Sequence, residues 1–477
     1  MAGQKPIYQK PTRMKRNTLL AIALMCSGAA FAQSEITPQV LSQISETPLT
    51  TAQQALAGVV QTGSIKKAAL RPNNPNVRDT WFSNEVKNEG ITDQQSSGRC
   101  WMFTGMNVLR HRAARRFNLP GFTFSQCYTF FYDQLEKSNL FLQSIIDTRK
   151  EDIDSRQVQW LMQHPLSDGG TYTGVADLVV KYGIVPSDVV QETYASNNTS
   201  EFSGHLTRKL REIAINLREK AEAGASVKQL EAYKVEQLKT VYRMLVMAYG
   251  EPVKTFKWAP RGKDGKLTAP LKEYTPQQFY AEACGTDDDL QNDYVMLMND
   301  PSRPYDRVYE IDMDRHTYEG HNWLYVNLDI DELSRLAIAS LKDSTMMYFS
   351  CDVGKQLNRE TGLLDVNNYD YGPIFGTTFG MNKKQRIQTL DSGSSHAMTL
   401  MAVDLDEEGK PLKWKVENSW GPSYGYAGYL IMTDQWFREY MFRVVVNKKY
   451  CTQKVLDLLK QKPVRLPAWD PMFSADN

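Results

Sequence analysis

Residues Asp93–Phe103 read DQQSSGRCWMF: a polar turn containing glycine, then Cys100, then Trp101 and an apolar run. A cysteine in that setting is either a small buried hydrophobe or a nucleophile at the mouth of a helix. The residues from Cys100 to about Arg116 read as that helix, with apolar side chains recurring at Trp101, Phe103, Val108 and Leu109. Choosing between the two readings requires a base and an orienting partner elsewhere in the chain.

Both candidates lie in the last third, where the period changes to alternation. His396–Leu405 (HAMTLMAVDL), Lys413–Trp420 (KWKVENSW), Gly428–Met432 and Phe442–Asn447 read as strands, with DEEGKP, Asp406–Pro411, as a hairpin turn. Met398, Leu400 and Ala402 share a side with His396, and Trp414 and Val416 share one with Asn418. Lys413, Lys415 and Glu417 face the other way. Paired with their apolar faces inward, the two strands project His396 and Asn418 from one face. An amide oxygen there accepts one ring N–H and leaves the other nitrogen to meet a thiol. A helix dipole and an imidazolium stabilise a Cys100 thiolate, so the set offers nucleophile, base and orienter. Gln94, in the loop before the helix, can donate its side-chain N–H to an oxyanion beside the backbone N–H of Cys100. Singly, each residue has a structural reading: buried thiol, core histidine, strand-end cap, surface glutamine. Their occurrence together in this order favours the catalytic one.

QQSSGRCW (Gln94–Trp101), SSHAMTL (Ser394–Leu400) and KWKVENSWG (Lys413–Gly421) together resemble the papain-like cysteine peptidases, within them the bleomycin hydrolase and bacterial aminopeptidase C branch. SDGGTYTGVADLVVKYGIVP (Ser167–Pro186), FSCDVGKQ (Phe349–Gln356) and LPAWDPM (Leu466–Met472) carry the likeness across most of residues 79–472. The resemblance implies an α+β papain-like fold: a helical left domain, an antiparallel, β-barrel-like right domain, and large helical insertions. It implies Cys100 as nucleophile, His396 as base, Asn418 as orienter and Gln94 as oxyanion donor. Trp420 would shield the Asn–His hydrogen bond, and Gly169 and Gly170 would run beside the substrate backbone. The implied activity removes N-terminal residues from peptides through a thioester, without metal or organic cofactor, in a homohexamer with inward-facing sites. In this branch the C-terminal arm lies in the cleft and its carboxylate meets the substrate's α-amino group, which assigns substrate binding to Asn477. The arm here ends WDPMFSADN, about a residue longer than is usual, with Asp476 beside the terminus. An endopeptidase or dipeptidyl peptidase is the enzymatic alternative, and a non-catalytic binding assembly the other class.

The 477 residues, 42% hydrophobic and 23% charged, suffice for a large core. A net charge of +1 gives no global steering toward nucleic acid or anionic membrane. From Met14, MKRNTLLAIALMCSGAAFAQ orders a basic start, an apolar stretch and an Ala30-Phe31-Ala32 cleavage site: a signal peptide over 14–32 that implies export to the periplasm or medium. No other segment is apolar for the roughly 18 residues a membrane span needs. Six cysteines, at 26, 100, 127, 284, 351 and 451, are too widely spaced for a disulfide scaffold and contain no CxxC pair.

The expected organisation is an upstream extension (1–13), the signal peptide, an N-terminal arm (33–75), a helical subdomain with the nucleophile (76–200), a helical insertion used for oligomerisation (201–320), a β subdomain with His and Asn (321–462), and the C-terminal arm (463–477). Within the insertion, Leu206–Gly250 reads as a charged helical hairpin broken near Gly224, and Pro260–Asp314 as loop-rich. PRGKDGK and TDDDLQNDY there lack the spacing of a phosphate loop or a calcium loop.

Overall fold

The computed structural model describes residues 35–474 except 75, 77, 78, 88 and 89. The upstream extension, the signal peptide and Asn477 lie outside the described residues. The chain divides into two units, residues 1–68 with 372–377 and residues 69–371 with 378–477. In the first, helices α1 (Pro38–Ser45) and α2 (Thr51–Thr62) bury no side chain. A reciprocal Thr50–Gln53 capping box starts α2.

The second unit carries the cleft. Its helices are α3 (Cys100–Arg116), α4 (Gln126–Asp147), α5 (Arg156–Gln163), α6 (Tyr172–Tyr182), α7 (Thr199–Glu222), α8 (Val227–Tyr249) and α9 (Ile330–Lys342). Its principal strands are β1 (Tyr294–Met298), β2 (Arg307–Ile311), β3 (Leu324–Asn327), β4 (Met347–Cys351), β5 (His396–Leu405), β6 (Pro411–Glu417), β7 (Tyr429–Thr433), β8 (Met441–Asn447) and β9 (Val464–Leu466). They form one sheet in the order β9-β2-β3-β1-β8-β4-β5-β6-β7, continued by Leu363–Leu364 and Leu357–Asn358, with Asn84–Glu85 pairing β5. Three pairings, β9 with β2, β1 with β3 and β7 with Leu363–Leu364, are parallel and the rest antiparallel. Among the described residues this is an open mixed sheet, which corrects the antiparallel barrel-like expectation.

The stretch expected to be loop-rich, Pro260–Asp314, holds β1, β2 and a helix, Pro276–Cys284. β1 is a short apolar run, YVMLM, buried along most of its length, and β2, RVYEI, buries Val308, Tyr309 and Ile311 but not Arg307. The helical hairpin is present: Gly224, at φ +90°, breaks it and a Ser226–Gln229 capping box starts α8. It begins seven residues earlier than the charge pattern suggested and packs Leu206, Leu210, Ile213 and Leu245 into the core that α4 shares.

Helix α3 is the keel of this unit. From Trp101 to Ala113 it is buried on almost every side, so no single apolar stripe marks it. Gly105 lets it approach α6, since a Cβ there would stand 2.7 Å from Val175. Its other neighbour is β5, where the Thr399 hydroxyl donates to the Thr104 carbonyl at 3.4 Å. The β5–β6 pairing runs Leu400↔Val416, then shifts at Met401 to Ala402↔Lys415 and Val403↔Trp414. The bulge and the covering helix bury β5 on both faces. Lys413 and Lys415 lie opposite the apolar face as expected but are largely buried against Asp404 and Glu85, at 3.5 and 2.7 Å. Glu417 is fully buried in an ion pair with Arg110 of α3.

Candidate active site

Loop and strand segments fix the Cys100 side of the cleft together. Gln94 N–H donates to the Ser419 carbonyl at 2.8 Å, and Gly421 N–H to that of Thr92 at 3.1 Å. The loop before Cys100 is thereby zipped to the segment after Asn418. Gly98 donates its N–H to Asp168 at 2.7 Å, and a Cβ there would lie 2.2 Å from that carboxylate. Arg99 is wholly buried, paired with Glu192 at 2.7 Å and placed over the Phe103 and Phe130 rings. It pins the turn from behind. Cys100 then opens α3, whose first turn has no side-chain cap, so the positive end of the helix dipole is directed at the thiol.

The Gln94 side chain is held at both ends. Its carbonyl accepts the Ser419 hydroxyl at 2.7 Å, and its amide donates to the Ser97 carbonyl at 2.6 Å. A primary amide has two N–H groups, so the second remains for a ligand. Ser419 was missed in the sequence, where it is one serine beside two recognisable neighbours.

On the other side, Nε2 of His396 and Oδ1 of Asn418 are 2.8 Å apart. An amide oxygen only accepts, so Nε2 carries the proton and Nδ1 is the basic nitrogen. The same Oδ1 accepts the Ser419 N–H at 2.8 Å, which fixes the amide. Trp420 stacks over the imidazole with centroids 4.6 Å apart. Burial pushes the His396 pKa down to about 4, against the opposing pull of the Asn418 hydrogen bond. The ring is therefore a neutral base at ordinary pH. Cys351, its register partner on β4, is fully buried and burial drives its thiol well above the usual range.

One cleft of about 920 Å³ is lined by Gln94, Cys100, His396, Trp420, Gly169 and Gly170. Asn418 lies behind it, 1% exposed. The sequence did not point to Ser350, Ser394 or Arg443, which share the lining from β4, β5's approach and β8. Arg443 is buried over the Trp323 ring, 4.1 Å from its centroid. A second pocket shares Ser167, Gly169 and Gly170 with the cleft and has apolar walls including Leu140, Phe141 and Leu161.

This sheet, this helix and this cleft define a papain-like cysteine peptidase, and the model of the Peptidase C1-like family matches residues 35–473. The chain belongs to that family. It is 40% identical to bleomycin hydrolase of Rattus norvegicus over 401 residues, 82% of this chain and 88% of that protein. To aminopeptidase C of Lactobacillus delbrueckii subsp. lactis it is 37% identical over 421 residues, covering 87% and 93%. The crystal structure of pepw from a lactobacillus superposes with a TM-score of 0.87 at 37% identity, covering 92% of this chain and 99% of that one.

Proposed function

We propose that this cysteine-type aminopeptidase is exported, trims N-terminal residues from peptides through a thioester on Cys100, and works as a homohexamer. The observation that carries the mechanism is the single cleft that Gln94, Cys100 and His396 share, with His396 held to Asn418 at 2.8 Å. Nδ1 of His396 takes the Cys100 proton and Sγ attacks the scissile carbonyl. Gln94 and the Cys100 N–H receive the oxyanion. The imidazolium then protonates the leaving amine as the C–N bond breaks, leaving the thioester. A water, deprotonated by His396, hydrolyses it and restores the thiol.

Trimming one residue at a time requires a stop at the far end of the cleft, and the C-terminal arm supplies it. Supporting this, β9 joins the sheet edge and Asp470 is tied through Arg303 to Asp300, at 2.5 and 2.6 Å. Met472 is buried, five residues before Asn477. Export rests on the ordered segment 14–32, and assembly on exposed apolar side chains such as Met247 and Tyr194, 88% and 78% exposed.

The test compares a fluorogenic amino-acid amide with its N-acetylated form under reducing conditions. Mature enzyme should cleave only the free amine, Cys100→Ala neither (a loss of roughly 10⁴-fold or more), and a chain cut after Met472 both. Equal cleavage of the blocked substrate by the full-length enzyme would instead make it an endopeptidase.

A further inference from the structure

Behind the Gly169–Gly170 segment lies a buried charge network that the reaction does not use. Asp133 of α4 is fully buried. One of its oxygens faces Lys137 at 3.0 Å and takes a hydrogen bond from Gln134 at 3.0 Å; the other takes Nδ1–H of His316 at 2.5 Å. Burial favours the neutral forms of both Asp133 and His316. On the carboxyl the Lys137 charge and His316 outweigh it, so Asp133 is held below the usual range, while His316 is held below its own. The network is thus a carboxylate, an ammonium and a neutral imidazole.

Its donors reach the main chain of the cleft wall. Lys137 donates to the carbonyls of Ser167 and Gly169, at 2.9 and 2.6 Å, and Gln134 to that of Ser167 at 3.1 Å. The carbonyl between them, of Asp168, accepts the Trp101 indole N–H at 2.8 Å. Three successive carbonyls are therefore tied from behind, whereas the main-chain N–H and C=O of Gly170, the next residue, have no partner among the described residues. The His316 ring fills the space beneath. A Cβ on Gly170 would stand 2.3 Å from its Cε1, and one on Gly174 2.4 Å from its Nε2. The ring packs edge-on against Trp101, the residue after the nucleophile, with centroids 4.6 Å apart.

We propose that Asp133, Lys137 and His316 are positioning residues that aim the main-chain groups of Gly170 at an extended peptide, setting peptide affinity without touching the thiol. The proposal rests on the cleft being the peptide site. A main-chain acceptor must be held to a fraction of an ångström to pair with substrate, and a glycine cannot be held through a side chain of its own. The buried charges supply that hold, and two glycines make room for the ring that carries it.

The test uses Asp133→Asn, Lys137→Met and Lys137→Arg in the mature enzyme, with two readouts. Turnover of a free-amine tripeptide reports main-chain pairing; alkylation of Cys100 by iodoacetamide, which pairs with no main chain, reports the nucleophile. Asp133→Asn and Lys137→Met should raise KM about 10- to 100-fold with kcat and the alkylation rate changed less than about twofold, and Lys137→Arg should recover part of the KM. Parallel losses in turnover and alkylation, or an unchanged KM, would overturn it. If those variants fail to fold, His316→Ala, which removes the ring beneath Gly170, should likewise raise KM with the alkylation rate changed less than about twofold. An unchanged KM in that variant counts against the proposal. Protection of Cys100 from iodoacetamide by a dipeptide aldehyde gives the same comparison without turnover. A wild-type enzyme that binds the aldehyde but cleaves no peptide would therefore sink the aminopeptidase reading alone.

Discussion

The two sides of the cleft are built from opposite materials. The nucleophile side is a polar lattice: Arg99 on Glu192, Asp168 on Gly98, and Lys137 on the Ser167 and Gly169 carbonyls. The base side is a sheet in which His396 and Asn418 are hydrogen-bonded to each other, roofed by Trp420 and backed by the apolar Met398, Leu400 and Val416. A loop that must present a thiol and bare main chain cannot be fixed by packing, so directional bonds fix it. An imidazole that must stay a neutral base gains from a dry surround, so apolar packing suits it. Arg110 and Glu417, paired and buried, join the two materials.

Breaking that joint has the largest expected effect. Glu417→Gln removes the carboxylate paired with the buried Arg110 guanidinium and should cost about 3–5 kcal/mol of stability, read as a lowered urea midpoint. Arg110→Met/Glu417→Leu should recover most of it; a loss in the double variant as large as in the single one would mean that packing, not charge, joins the halves. Next come the directional bonds of the nucleophile side. Gln94→Ala should lower kcat about 100- to 1,000-fold, and Ser419→Ala, which frees one end of the Gln94 amide, about tenfold, the worth of one hydrogen bond. Equal losses in the two would contradict the clamp.

The smallest effect sharpens the base side. His396 titrates near 4 in the folded chain against 6.5 when exposed, so the acid limb of kcat/KM should lie near pH 4. Trp420→Ala, which admits water to the ring, should move that limb upward. The same depression means that the unfolded chain binds this proton first as pH falls. Stability from this group is therefore present above 6.5 and lost between 6.5 and about 4. A wild-type limb at 6.5 would refute the dry-ring account.

Legibility in the sequence followed the same division. Cys100, His396 and Asn418 stood out because a thiol, an imidazole and an amide occur together in suggestive local contexts, and the resemblance of the stretches around them implied the papain-like fold class. β1 and β2 did not, because YVMLM and RVYEI are five-residue runs without a clean alternation, and the region around them read as loop. The bulge at Met401 was equally silent, since a register shift depends on the partner strand. The barrel-like expectation failed where β9, β2, β3 and β1 extend the sheet on one side of β8.

By itself the sequence placed the groups along the chain: a thiol at a helix start, an imidazole opening a strand, an amide closing the next, in stretches that resemble one family. Side-chain identity and local period are written along the chain, and those three residues need little else to be read. Tertiary structure alone decided what holds them. Ser419 on Gln94, Arg110 on Glu417 and His316 on Asp133 join residues 325, 307 and 183 positions apart. Pairings at such range leave no period or spacing to read, because they exist only once burial has removed the water that would otherwise satisfy each partner.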